Sequence, residues 1–336
     1  MSTARERALL WVVRAAYDVE VPTEDWIARV MHAAAPALDF GLGIAGMTFR
    51  VDSDRLTITS PVVATDGVPR GLAQIVMENA KSIPPEHVRV TWGGPESLGS
   101  ASSIFRRSYP NLRFAAWEGF EACRQLGIRD QVAAKAIDPS GAGCILMANL
   151  DREIDVDRRR SRRWSRVMAH VLAGLRLRSA LEAPEAVVDL SGRVVHAEGE
   201  AQSRSSCEAL RQAALRIDRA KRKQALENPH IALEEWRALV AGRWSLVDSF
   251  ERDGRRYLMA RRNDPRLEFP RALSERQRQI VAYAAQGHSN KYIAYALGLA
   301  PSTVATHLAA AMQRLGAHTR TDLVRLWLPH SETARP

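Results

Sequence analysis

The stretch 273-LSERQRQIVAYAAQGHSNKYIAYALGLAPSTVATHLAAAMQRLGAHTRTDLVRLW-327 decides the fold of the last part of the chain. Ser274 and Gln277 stand at capping-box spacing, and Ile280, Val281 and Ala284 recur on one helical face, so a helix begins here and stops by Gly287. Ser289 to Leu297 puts Ile293, Ala294 and Leu297 on a second apolar face and ends at Gly298, a residue suited to the left-handed turn after a helix. Pro301 fits a first helical position, and Val304, Leu308, Ala311 and Leu315 form a stripe that runs to Gly316. Thr319 and Asp322 then open a fourth helix with Leu323, Val324, Leu326 and Trp327. Short helices with a tight Gly-containing turn between the second and third predict an all-α helix-turn-helix domain, the arrangement that presents its later helix to a major groove.

Taken in order, Leu273-Ser274-Glu275-Arg276, Gly287-His288-Ser289-Asn290-Lys291-Tyr292-Ile293-Ala294, Leu297-Gly298-Leu299, Ser302-Thr303-Val304-Ala305-Thr306-His307-Leu308 and Leu315-Gly316-Ala317-His318-Thr319-Arg320 resemble the LuxR-type DNA-binding domain. The resemblance implies that Ser289 to Gly298 is the supporting helix and Ser302 to Leu315 the recognition helix. Lys291, Ser302 and Thr303 are then expected at phosphates, and Ala305, Thr306 and Ala309 toward bases. His307 is either a further phosphate contact or an ordinary packed histidine; Ser289, Asn290 and Arg320 complete the expected DNA-binding set. Leu323, Val324 and Trp327 would form the dimer surface, which implies a homodimer on a palindromic operator in double-stranded DNA.

The departures from the family pattern carry their own expectations. Ala305 and Ala309 stand where many relatives have basic side chains, and Gln277 and Gln279 where many have glutamate. Small outward residues shift readout from guanine contacts toward thymine methyls and DNA shape. Ala300 occupies the recognition-helix N-cap, a choice that costs about 1 kcal/mol of capping. From Arg271 to Pro336 there are 8 Lys and Arg against 3 Asp and Glu, so the segment stays electropositive and can exploit counterion release.

Working outward from this domain (272–330), Asn263-Asp264-Pro265-Arg266 begins a polar linker (264–271). Before it, residues 183–263 read as a small module. Val187-Val188-Asp189 and Val194-Val195-His196 flank one turn, Trp244 to Glu251 and Arg255 to Ala260 flank Asp253-Gly254, and helices over Cys207 to Ala225 and Ile231 to Ala241 lie between. The order is similar to a PAS-type fold. Asp155 to Leu181 reads as one long helix with Trp164, Val167, Met168, Val171, Leu172, Leu175 and Leu181 on a stripe, read as its own domain's packing face in preference to a dimer seam. Its opening run of arginines, from Arg158 to Arg166, is read as a solvated face.

Residues 1–182 mix helices (Glu6 to Asp18, then a stretch N-capped by Thr23, Gly71 to Lys81, Leu112 to Leu126) with strands (Gly43 to Val51, Leu56 to Ala64, Gln131 to Ile137, Gly143 to Met147). The fold class is therefore multidomain α+β, and the first domain, an antiparallel sheet with helices, is similar to a GAF-type sensor or dimerisation domain.

A chain of 336 residues calls for more than one core, and its net charge of +10 favours a polyanionic partner. Cys123, Cys144 and Cys207 lie far apart and fit a reducing compartment, with Cys123 and Cys144 read as buried structural thiols. Neither a signal peptide nor a membrane-spanning run is read, so a cytoplasmic protein without membrane contact is expected. Gly41-Leu42-Gly43-Ile44-Ala45-Gly46 is literally G-x-G-x-x-G, but it leaves a helix and enters a strand, the reverse of a dinucleotide site. No cofactor, metal site or enzyme is expected. The residues support a sequence-specific regulator of transcription whose N-terminal region answers to a small-molecule effector or a protein partner. The alternative is a ligand-independent recruitment or architectural DNA-binding protein whose N-terminal modules only dimerise and bind other proteins. An enzyme fused to a DNA-binding domain has least support.

Overall fold

The structure is a computed structural model that describes residues 2–52, 55–88, 92, 97–179, 185–221, 240–241, 244–252, 255–263, 273–324 and 326. Helices α1 (Ser2–Ala16) and α2 (Thr23–Leu38) precede strands β1 (Ile44–Asp52), β2 (Arg55–Ile58) and β3 (Val63–Ala64). Then come α3 (Leu72–Ser82), α4 (Pro85–His87), β4 (Leu98–Ser100), α5 (Ala101–Ser108), α6 (Glu121–Gln125), β5 (Asp130–Ile137), β6 (Ala142–Leu150) and α7 (Arg158–Ser179). The strands form an antiparallel sheet in the order β2-β1-β6-β5-β4, with β3 also paired to β1.

Alternation along the strands explains the two layers. On β6, Cys144, Leu146 and Ala148 face one core with Trp26, Ile27 and Met31 of α2 and Trp164, Val167, Met168, Val171 and Leu172 of α7. Ile145 and Met147 face the other, with Leu72 of α3, Phe105 of α5 and Phe120. The α7 stripe is thus a packing face of its own domain, seated on α1 and the sheet. Gly174 makes that approach close: a Cβ there would lie 1.9 Å from the Ala16 carbonyl oxygen, which also accepts from Trp26 Nε1 at 2.9 Å.

Several sequence expectations need correction. Thr23 is not an N-cap: Pro22 holds that position and Thr23 is the first helical residue. Leu56 to Ala64 is two strands, interrupted at Thr59-Ser60-Pro61, because Pro61 brings no N–H to a ladder. Leu112 to Leu126 is no continuous helix; 3-10 turns at Phe114–Ala116 and Glu118–Phe120 precede the short α6. Its aromatic side chains cluster with Phe105 and Tyr109 instead of lining one helical face. The long helix starts at Arg158, where Asp157 Oδ1 accepts from the Arg160 N–H at 2.8 Å. Helix α5, capped by Ser100, has no counterpart in the sequence reading. Gly93-Gly94-Pro95, Leu181, Asp253-Gly254 and the linker 264–271 lie outside the described residues.

Strands β7 (Ala186–Asp189), β8 (Val194–Ala197), β9 (Val240–Ala241), β10 (Trp244–Arg252) and β11 (Arg255–Arg262), with helix α8 (Arg204–Lys221), form a second antiparallel sheet in the order β8-β7-β11-β10-β9. Val240 and Ala241, expected to end a helix, pair as a strand with β10; the rest of that helix lies outside the described residues. With β3 set aside, both sheets have the order second, first, fifth, fourth, third, and both place helix between their second and third strands. This repeat of topology has no counterpart in repeated sequence. The buried residues of the second sheet and of α8, such as Val188, Leu258 and Leu210, are continuous with the α1, α2 and α7 core.

Helices α9 (Glu275–Ala285), α10 (Asn290–Ala296) and α11 (Pro301–Leu315) complete the chain's all-α part, followed by helical residues at 320–324. Among the described residues no single helix is long and apolar enough to cross a membrane. The molecule is thus multidomain α+β, antiparallel sheets with helices followed by a helical domain.

Candidate nucleic-acid interface and the junction behind it

The local chemistry of the helix-turn-helix follows its caps. Ser274 accepts from the Gln277 N–H while the Gln277 side chain accepts from the Ser274 N–H, a complete capping box. Ser289 Oγ accepts from the Tyr292 N–H at 3.3 Å and starts α10. Gly298 turns the chain at φ +64°, and α11 leaves α10 at 108°. Ala300 is the N-cap of α11 without a side-chain hydrogen bond, and Gly316 ends the helix at φ +66°. Thr319 Oγ1 accepts from the Asp322 N–H at 3.1 Å, and Asp322 accepts in return from the Thr319 N–H at 2.7 Å.

Val304, Leu308 and Ala311 are buried, which turns the opposite face of α11 outward. Ser302, Ala305, Thr306 and Ala309 are exposed there, as is Lys291 on α10; Thr303 and His307 are half-buried. Thr306 Oγ1 donates to the Ser302 carbonyl at 3.1 Å, leaving its methyl as the outward apolar group. The N-terminal turn of α11 carries the Ser302 and Thr303 N–H groups with no side-chain cap above them, a geometry that receives phosphate.

The remaining residues of the expected set have internal work. Arg320 donates to Asn290 Oδ1 at 3.1 Å and to the His288 carbonyl, tying the last helical segment to the start of α10. Gln277 Oε1 also accepts from Arg314 at 2.9 Å and so links α9 to the end of α11. Leu323, expected at a dimer surface, is buried in the domain's own core; Val324 is half-buried, Leu326 is exposed, and Trp327 lies outside the described residues.

Behind this surface, α9 and α10 meet α7 through polar side chains that the sequence reading missed. His170 of α7 is fully buried, with Nδ1 2.8 Å from Tyr17 Oη and Nε2 2.8 Å from Tyr295 Oη. Burial holds its pKa down to about 3, so the ring is neutral and one tyrosine accepts while the other donates. Six residues further on, Arg176 pairs with Asp138 at 2.8 Å and donates to Tyr283 Oη at 3.1 Å and Asn263 Oδ1 at 2.9 Å. One guanidinium thus joins α7, the β5–β6 turn, the end of β11 and α9. Burial works against its charge, but Tyr283 and the Asp138 carboxylate outweigh burial and the pKa is raised.

Gln286 Nε2 donates to the Asp138 carbonyl at 3.3 Å, and the Ser97 hydroxyl bonds to Tyr292. Tyr292 in turn stacks on His288 at 4.2 Å. Burial, with lesser contributions from Lys135 and Arg320, brings His288 down to about 3. The signal for all this was present: His170 and Arg176 sit within an otherwise apolar helix stretch, and Tyr283, Tyr292 and Tyr295 are large residues on short helices. Their pairing spans the chain and leaves no local spacing to read.

The other face of the first sheet holds a cavity of about 210 Å³ between β5, β6, α3, α5 and the aromatic turns. Trp117 stacks on Phe105 at 5.2 Å and on Phe120 at 6.2 Å, and both rings join Tyr109 and Trp92 in the lining. Gln131, Ala133 and Lys135 of β5 bring the strand's outward side to it. Burial raises the Cys123 thiol, which borders the cavity, to about 11 and Cys144 to about 12, so neither is a reactive thiolate. Among the described residues no cluster of His, Cys, Asp and Glu could hold a metal ion. Gly41 to Gly46 lead from α2 into β1.

With this geometry in hand, comparison with known proteins is specific. Residues 271–327 match the profile described as bacterial regulatory proteins, luxR family. The transcriptional regulatory protein FixJ of Azorhizobium caulinodans is 37% identical over 78 residues, covering 22% of this chain and 37% of FixJ. FixJ of Rhizobium meliloti is 41% identical over 66 residues, covering 20% and 32%. UhpA of Escherichia coli, also a transcriptional regulatory protein, is 43% identical over 53 residues, covering 16% and 27%. The match thus spans little more than a third of these relatives at most. Escherichia coli SdiA aligns with 97% of this chain and 96% of its own at 14% identity and a TM-score of 0.30, too low to argue a shared fold. By sequence and by the geometry of its helices, the stretch 271–327 is a LuxR-family helix-turn-helix domain.

Proposed function

We propose that the chain is a sequence-specific DNA-binding regulator of transcription whose N-terminal region responds to an effector or a partner. The observation that carries this reading is the open face of α11, set at 108° to α10 and projecting small side chains and an uncapped N-terminal turn away from the rest of the molecule. Lys291, Ser302, Thr303 and His307 meet phosphates, and Ala305, Thr306 and Ala309 meet base edges, with thymine methyls the natural partners of Ala and the Thr methyl. Ser289, Asn290 and Arg320 hold the supporting helix in place beside the backbone. Val324, Trp327 and the exposed Leu326 supply a homodimer surface, and Leu323 supports it from within, so the operator is palindromic.

We assign residues 1–182 to a GAF-like domain, 183–263 to a PAS-like module, 264–271 to a linker and 272–330 to the DNA-binding domain. The shared strand order of the two sheets supports treating them as two related sensory modules. A DNA-binding regulator of this kind works in the cytoplasm.

Selection of bound sequences from a random DNA pool by the full chain, followed by a salt series, tests the reading. An enriched palindrome is expected, with affinity falling steeply with salt. Thr306→Glu should weaken operator binding at least about tenfold while leaving the unfolding temperature unchanged, because it sets a carboxylate against phosphates and base acceptors. If no sequence is enriched, the regulator reading falls and the exposed face of α11 is to be tested against protein partners.

A further inference from the structure

We propose that the cavity in the first domain is the effector site, that its ligand is a bicyclic aromatic molecule with one N–H or O–H donor, and that β5 carries occupancy to the DNA-binding domain. This rests on the regulatory reading above. The size follows from volume: an apolar cavity of about 150 Å³ accommodates benzene, so the 210 Å³ here suits a second fused ring but not a long chain. The shape follows from the lining. Trp117 lies at 30° to Phe105 and 17° to Phe120, so the three rings stack on one another and give the lining an aromatic wall against which a flat molecule packs.

The single donor follows from Gln131. Its amide nitrogen donates to Asn149 Oδ1 at 2.9 Å, which leaves the carbonyl oxygen of this lining residue as an acceptor. A ligand N–H or O–H satisfies that oxygen.

The route to the DNA-binding domain is short. Lys135, two turns of alternation beyond Gln131 on the same strand face, lines the cavity and also acts electrostatically on His288. Its backbone N–H donates to the Ser97 carbonyl at 3.0 Å, and the Ser97 hydroxyl bonds to Tyr292 of α10. At the end of β5, Asp138 holds Arg176 and Gln286. A ligand that displaces β5 or the Lys135 stem therefore acts on both docking points, and shifts the population of docked and released DNA-binding domain.

Isothermal titration of the full chain with 2-naphthol and with indole tests the site without reference to DNA. Saturable heat is expected for both, absent for decanoate, and abolished by Ala133→Phe, which fills the cavity from β5; thermal unfolding checks that this variant folds, and Ile75→Phe, filling from α3, serves if it does not. In the same protein, saturating 2-naphthol should change operator affinity at least about fivefold. Tyr292→Phe, which lies outside the cavity and removes the partner of the Ser97 hydroxyl, should keep the ligand heat and lose that change. Absence of heat for both bicyclic probes, or heat that persists in the filled variants, overturns the site. Ligand heat with an unchanged operator affinity, or an undiminished response in Tyr292→Phe, overturns the coupling. Ligand heat in a chain that enriches no DNA would leave the site standing and overturn the regulator reading instead.

Discussion

The two sides of the helix-turn-helix domain are built from opposite kinds of residue. Outward, α11 shows Ala305, Thr306 and Ala309, side chains with almost no hydrogen-bonding vocabulary. Inward, α9 and α10 show Tyr283, Gln286, His288, Tyr292 and Tyr295, each joined to or packed beside a named partner. The difference teaches where specificity has been invested: the position of this domain on its own chain is written in more detail than its choice of bases. A buried polar network of this kind rigidifies when every member is satisfied and is costly to leave half-made.

The largest expected effect comes from breaking the inward side. Arg176→Ala leaves the Asp138 carboxylate buried without its cation and should cost about 3 to 5 kcal/mol in urea unfolding. A loss below about 1 kcal/mol would mean that the junction is not a clamp.

Acid attacks the same side through its histidines. In the unfolded chain both take up protons below about pH 6.5, while His170 and His288 stay neutral in the folded chain down to about 3. Stability is therefore complete above pH 6.5 and falls as pH drops toward 3, by about 1.4 kcal/mol per unit for each ring. Unfolding measured between pH 7.5 and 5.5 should lose about 3 kcal/mol, and His170→Phe should remove about half of that dependence. A flat profile would contradict the burial of both rings.

The smallest effect sharpens the outward side. Ala300→Ser supplies the missing cap of α11 and should raise stability by about 1 kcal/mol, read as a higher midpoint in the same titration. No gain would show that the first turn of α11 is already satisfied by another group.

Legibility in the sequence divides along the same line as the two faces. The helix-turn-helix was readable because its signals are local: Ser274 with Gln277, Gly298 before Pro301, and the stripe from Val304 to Ala311 each fall within a few residues. The hairpins β1–β2, β7–β8 and β10–β11 were readable for the same reason. What escaped notice depends on distance. Tyr283 meets Arg176 across 107 positions and Tyr295 meets His170 across 125, and no spacing rule relates such pairs. The cavity escaped for another reason. Phe114, Trp117 and Phe120 recur every three residues, a period shared by an amphipathic helix and by successive 3-10 turns. Choosing between them requires knowing that Phe105 and Tyr109 wait on the other side. Thr23 was misplaced by one residue because Pro22 fixes the backbone that a cap would otherwise hold.

The single guanidinium of Arg176 sets the rules for anyone who would build chimeras from this chain. Exchanging residues 271–327 wholesale for a relative's also replaces positions 283, 286 and 295, the sockets into which Arg176, Asp138 and His170 fit. Rewriting positions 305, 306 and 309 alone changes the exposed face of α11 and keeps the face that docks, so on the proposed reading operator choice can be altered three letters at a time without disturbing the junction.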